Sequence, residues 1–141
     1  ARATATNTSA AAQTGVPLRR RSPMAARARP ATNARMPPRD VEAVINALWG
    51  GDETVIIVSS DLSHFHAYAD AREIDARTTA RIEARETTLQ GEEACGAYAL
   101  NGLLLAAQAH GLHVHTLDVR NSGDTAGDQQ RVVGYGSYAL A

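Results

Sequence analysis

From Asp40 onward the apolar residues fall into patterns that alternate between helical and strand periods. Val41, Val44, Ile45 and Leu48 recur at i, i+3, i+4 and i+7, which predicts a helix that starts on Asp40 as N-cap and stops at Gly50-Gly51. Thr54 to Val58 (TVIIV) is an unbroken, mostly β-branched run, as in a central strand buried on both faces. A second helix is expected over Ala69–Ala84. Its apolar face is thin (Ile74 and Ile82) and Glu73 and Arg77 form an i, i+4 pair, so it belongs on the surface. A third helix, Gly96–Ala109, carries Leu100, Leu103, Leu104 and Ala107 on one face and ends at Gly111. Leu112–Val119 and Val132–Ala139 read as strands on either side of a polar loop, Asn121–Gln130. The order α-β-α-α-β-β predicts an α/β fold with a mixed sheet flanked by helices.

Composition divides the chain in two. Residues 1–39 are rich in Ala, Arg, Thr, Pro and Ser, and only Val16, Leu18, Met24 and Met36 offer apolar anchors. Such a segment cannot bury enough surface to offset its ordering entropy. It reads as a disordered basic segment or as frameshifted sequence, ahead of a nucleic-acid-binding arm or an organelle transit peptide. Residues 40–141 read as the folded unit. The formal net charge of −1 conceals this division, because eight of the fourteen arginines precede Asp40 and fourteen of the fifteen acids follow it. The single cysteine excludes an internal disulfide framework and suits a cytoplasmic location. No run reaches the ~18 apolar residues of a membrane span, so no membrane partner is expected.

Three segments carry the candidate chemistry. Ser59-Ser60-Asp61-Leu62-Ser63-His64 follows directly on the predicted buried strand, where open α/β sheets place their ligand crevices. Asp61 and His64, three apart, can converge in a tight turn. An imidazole and a carboxylate suit a transition metal or an acid/base pair. Cys95 precedes the third helix, and a thiol at a helix N-terminus is readier to ionise and to bind metal. Asn121-Ser122-Gly123-Asp124-Thr125-Ala126-Gly127-Asp128 offers oxygen ligands in Asn121, Asp124 and Asp128 but lacks the spacing and closing Glu of a calcium loop, and reads better as a tight turn and lid over a neighbouring site. His110, His113 and His115 lack a matching third ligand and read as surface histidines.

Taken in order, Ser59 to His64, Ala94-Cys95-Gly96, Arg120 to Thr125 and Val132-Val133-Gly134-Tyr135 resemble the Memo family, also called AmmeMemoRadiSam system protein B. The resemblance spans residues 41–140 and corresponds to the C-terminal half of that family's chain. It implies a fold similar to class III extradiol dioxygenases, which use non-haem iron. It further implies that His64, Cys95 and Asp61 belong to a metal pocket for iron or copper, with Asp61 and His64 in catalytic positions. Ser60, Asn121, Ser122, Gly123 and Asp124 are expected as the pocket loop. The family's other pocket histidines lie in its N-terminal half, so the ligand set expected here is partial. An exposed apolar sheet edge is expected with it.

Three functions compete on these grounds. One is a metal-dependent oxidoreductase of dioxygenase type. Another is a module that binds a phosphopeptide or other anion without turnover. The last is an inactive fragment. The ligand expected is a small molecule or a peptide, not nucleic acid, and the oligomeric state is open.

Overall fold

The computed structural model describes residues 2–5, 36–125 and 127–141. Their elements run in the order β1 (Arg2–Ala5), α1 (Pro38–Leu48), β2 (Val55–Val58), β3 (His64–His66), α2 (Tyr68–Glu83), α3 (Ala97–Ala109), β4 (Val114–Asn121), a 3-10 turn (Ser122–Asp124) and β5 (Val132–Leu140). The fold is mixed α/β, as the alternating periods predict.

β5 is the hub of the sheet. β4 lies antiparallel along it from Val114↔Leu140 to Asn121↔Gly134, with a register shift between Thr116 and Asp118. β1 pairs antiparallel with its C-terminal end, Ala3↔Leu140 to Ala5↔Tyr138, and β3 pairs with its start at Val132 and Val133. β2 joins only through β1, in parallel, from Arg2↔Val55 to Ala5↔Val58. Residues 2–5 are therefore an interior strand. For the short run Arg-Ala-Thr-Ala, strand neighbours on both sides decide what composition does not. The reading of a disordered basic segment falls mostly on 6–35, which lie outside the described residues.

The helices cover one face of the sheet. Along β5, Val132, Gly134, Gly136, Tyr138 and Leu140 are buried and the intervening residues only half-buried, a strict period of two. α3 is the central helix. Leu100, Leu103, Leu104, Ala106 and Ala107 are all buried, and their side chains point in too many directions for one face. On one side they pack with Ile45 of α1 and with Ile56, Val58 and Leu140 of the sheet. On the other, Leu100 and Leu104 meet Leu62, Ile82, Leu89 and Tyr138.

Three sequence expectations shift. α1 starts at Pro38, with Pro37 in the N-cap position, so Asp40 lies in the first turn and its amide donates to the Pro37 carbonyl (3.0 Å). Its buried face runs through Val41 and Ile45, while Val44 and Leu48 are exposed. The cause is Gly102 on α3. An added Cβ there would lie 2.3 Å from Val41 Cβ, so the backbones close on that line and turn Val44 away. β2 is not buried on both faces, since Val55 and Ile57 are each 62% exposed on the face opposite the helices. α2 is less superficial than expected: Ala71, Asp75, Thr78 and Ile82 form a buried i, i+4, i+7, i+11 stripe. Among the described residues, no helix is long and apolar enough to cross a membrane.

Candidate metal centre

The chain leaves β2 at Val58 and enters the polar turn Ser59–Ser63. Backbone and side-chain bonds fasten this turn from two directions. The Leu62 amide donates to the Gly134 carbonyl (2.9 Å) and the Gly134 amide to the Ser63 carbonyl (2.9 Å). The Ser63 amide donates to Asp75 Oδ1 on α2 (2.9 Å). The whole segment is thereby held between the hub strand and a helix, with Leu62 and Ser63 buried beneath it.

Cys95 reaches the turn from the other side. The Cys95 amide donates to the Asp61 carbonyl (3.2 Å), and the Asp61 amide donates to Cys95 Sγ (3.2 Å). Ser60 Oγ lies 3.8 Å from the same sulfur, accepts from the Gly96 amide (2.9 Å) and donates to the Asp61 carbonyl (2.7 Å). Close approach requires glycine at 96. A Cβ there would stand 2.8 Å from Ser60 Cβ and 3.0 Å from the Ser59 carbonyl oxygen. A further anchor lies upstream, where Arg81 on α2 binds Glu86, Thr88 and Glu93 and so pins the loop that delivers Cys95.

These constraints bring the three predicted ligands together. One donor atom each from Asp61, His64 and Cys95 lies within 4.8 Å of the others. His64 Nε2 is 3.5 Å from Asp61 Oδ2. The two are about a third exposed and Cys95 is exposed, so the group opens to solvent on one side. Ligand atoms around a tetrahedral metal with bonds of 2.0–2.3 Å are roughly 3.3–3.8 Å apart, so the residues fit such an ion after a small contraction. Carboxylate, imidazole and thiolate together are a donor set for borderline to soft metals.

His64 begins β3, and Phe65 behind it has a φ of 62°. A bulky residue in the left-handed region is strained, and such strain gathers at functional sites. Here it accompanies the register shift between β3 and β5. Phe65 is 62% exposed, with the Arg131 guanidinium 5.0 Å from its ring centre.

The predicted pocket loop divides. Ser60 stands at the cysteine. Asn121, Ser122, Gly123 and Asp124 instead form a self-capped 3-10 turn, in which Asn121 Oδ1 accepts from the Gly123 amide (2.9 Å) and Asp124 Oδ2 from the Asn121 amide (2.7 Å). Tyr68 donates to Asp124 Oδ1 (2.6 Å), and Ser122 Oγ accepts from the Val133 amide (3.1 Å). The Tyr68 hydrogen bond, with that from the Asn121 amide, holds the Asp124 carboxyl below the usual range. Asn121 and Asp124 line a cavity between α2 and β4, and none of Asp61, His64 and Cys95 does. Ser122, by contrast, holds Val133, the partner of His64 in the sheet. His110, His113 and His115 are exposed, with His110 stacked on Trp49 at 4.1 Å.

Sequence reasoning missed Asp75 and Gly134, which hold the turn in place. The available signal was an acid within the buried stripe of α2, between Ala71 and Thr78. Gly134 has no local signal. A Cβ there would come within 2.0 Å of Asp75 Oδ2, a demand set by a residue far away in sequence. Compared with protein-family models and with curated proteins, the sequence matches none of them.

Proposed function

We propose that Asp61, His64 and Cys95 bind a divalent first-row transition metal, iron or copper being the candidates, and that the chain is a Memo-like protein built on the class III extradiol dioxygenase pattern. The observation that carries this reading is the convergence of three chemically distinct donor atoms within 4.8 Å, from two segments separated in sequence. Catalytic metal sites commonly have three protein ligands and leave further positions for water or substrate. The open side of this group meets that requirement. Bound there, iron or copper supplies Lewis acidity and access to redox chemistry.

The chain's own residues have separable roles. Cys95 contributes the soft donor, and the Asp61 amide hydrogen bond to its sulfur holds that atom in place. His64 contributes a nitrogen, and Asp61 either completes the set or accepts a proton beside it. The Asp61 carboxylate also disfavours a phosphopeptide or other anion at this place, since a like charge would have to sit beside it.

Cobalt(II) titration tests the reading. Thiolate coordination gives an intense sulfur-to-metal charge-transfer absorption, which should saturate at one equivalent in the native chain. It should disappear in Cys95→Ser and weaken strongly in His64→Ala. Metal analysis of the purified protein should find iron or copper in the native chain and little in either variant. A titration without that absorption, or with one that survives Cys95→Ser, refutes the site.

A further inference from the structure

A second site lies on the other side of Asp75. Between α2 and β4 is a cavity of about 650 Å³, well within the range that holds small molecules. Asp75 lines it and is only 2% exposed. Asp75 Oδ1 takes the Ser63 amide hydrogen. Among the described residues Oδ2 has no hydrogen-bond donor, and no arginine or histidine pairs with this carboxylate. Carboxylates withdrawn from water in natural proteins are as a rule paired with a cation.

Two arginines, Arg72 and Arg120, also line the cavity, and each has its partner within the lining. Arg120 binds Asp118 at 2.6 Å, and the Arg72 guanidinium lies 5.8 Å from the centre of the Tyr68 ring. Glu83, also on the lining, accepts from the neutral Thr116 hydroxyl (2.6 Å), its one side-chain partner among the described residues. Four carboxylates and two arginines thus line the space, and among the described residues Asp75 and Glu83 are left without a positive partner. Their field reaches Tyr138 beneath: burial raises the Tyr138 phenol above its usual range, and the negative charges of Asp75 and Glu83 add to this against the Thr79 hydrogen bond.

We infer that this cavity binds a small organic cation, an alkylammonium or alkylguanidinium compound, with its charged head on Asp75 and its chain toward Glu83. A bare metal ion is the poorer match. Calcium takes six to eight oxygen ligands, and among the described residues the carboxylates of the lining form no group of three close enough to hold an ion. An N–H donor needs only Asp75 Oδ2. The alkyl part would lie along Ala76, Ala80 and Val119. None of the proposed metal ligands lines the cavity, so the two sites can be tested separately, although Asp75 also anchors the turn that carries Asp61.

The test is a titration of the full chain with butylammonium chloride and butylguanidinium chloride, followed by amide NMR shifts and by calorimetry. Butanol, sodium butyrate and calcium chloride serve as the comparison. Saturable binding of the cations, with the largest shifts at Thr79, Val119 and Asn121 and none with butanol or butyrate, is the expected result. Asp75→Asn keeps an oxygen for the Ser63 amide while removing the charge, and should weaken binding at least about tenfold. Glu83→Gln leaves Asp75 untouched and should weaken it several-fold. The inference is overturned by cations that fail to bind up to about 10 mM. It is equally overturned by butanol or calcium binding as well as the cations do, or by Asp75→Asn leaving the affinity unchanged. Should Asp75→Asn fail to fold, Glu83→Gln decides alone, and unchanged affinity overturns the inference.

Discussion

Gly96→Ala places one methyl group at the point where the cysteine loop meets the Ser59–Ser63 turn. The residue has a φ of −92°, so alanine meets no backbone penalty and the effect is steric. The new Cβ would sit 2.8 Å from Ser60 Cβ, while carbon atoms in contact prefer about 3.5 Å or more, so one side must retreat by roughly 0.7 Å. Retreat is resisted by the amide-to-Ser60 bond (2.9 Å), the Cys95-to-Asp61 bond (3.2 Å) and the Asp61-to-sulfur bond (3.2 Å). Overpacking of this kind costs about 1–3 kcal/mol, which urea denaturation would read as a midpoint lowered by roughly 1 M. The same displacement exceeds the ~0.2 Å tolerance of metal–ligand distances, so cobalt affinity should fall about 10–100-fold. Gly91→Ala is the control, since nothing lies within 4 Å of a Cβ there and both readouts should stay put. If Gly96→Ala matches the native chain in midpoint and in cobalt affinity, the close approach does not hold the site together.

Other expected outcomes follow from single contacts. Phe65→Gly relieves a φ of 62° at an exposed side chain and should stabilise the fold by up to about 1 kcal/mol in urea melts; a loss of stability would show that the Arg131 contact outweighs the strain. Asn121→Ala removes the acceptor for the Gly123 amide from a residue 1% exposed, and should cost about 1–2 kcal/mol in the same measurement. Leu104→Ala empties a fully buried position on α3 and should cost about 2–5 kcal/mol by thermal denaturation. Burial acts to raise the Glu93 carboxyl, but the hydrogen bonds from Arg81 and the Gln90 amide prevail and hold it below its ordinary 4.5. That contribution is complete above the ordinary carboxylate range and lost as pH falls through the lowered value. The stabilities of the native chain and Glu93→Gln, separated at pH 7, should therefore converge as the solution becomes more acidic than about pH 4.

Much of the helical layer was legible because local period decides it. α2 and α3 begin and end within a residue of where the apolar spacing and Gly111 place them. What period cannot decide is which neighbour lies across from a face. Val44 and Leu48 fit the apolar stripe of α1 as well as Val41 and Ile45 do, until Gly102 selects the line of closest approach. β2 has the composition of a central strand and lies outermost of the described strands. β3 escaped notice because its three residues are polar or aromatic and Phe65 breaks the extended backbone. At the candidate metal centre, residue types and strand-end placement marked Asp61 with His64, and Cys95, as separate candidates, and only the family resemblance joined them into one set. The supports at Asp75, Gly96 and Gly134 arise from contacts between distant segments, which a one-dimensional pattern does not record.

The position of β5 also governs the order in which the molecule can be assembled. β1, β3 and β4 all pair with it, and Ala3 meets Leu140 nearly a full chain length away. Pairings so remote must overcome loop-closure entropy before they return any stabilisation, which makes folding slow. Gly134 lies in that strand, so the Asp61 turn has no fixed shape until β5 has docked. Helices α1 and α3, packed on each other, can form earlier, and metal affinity should then appear as a late kinetic phase, after most of the helical signal has been recovered.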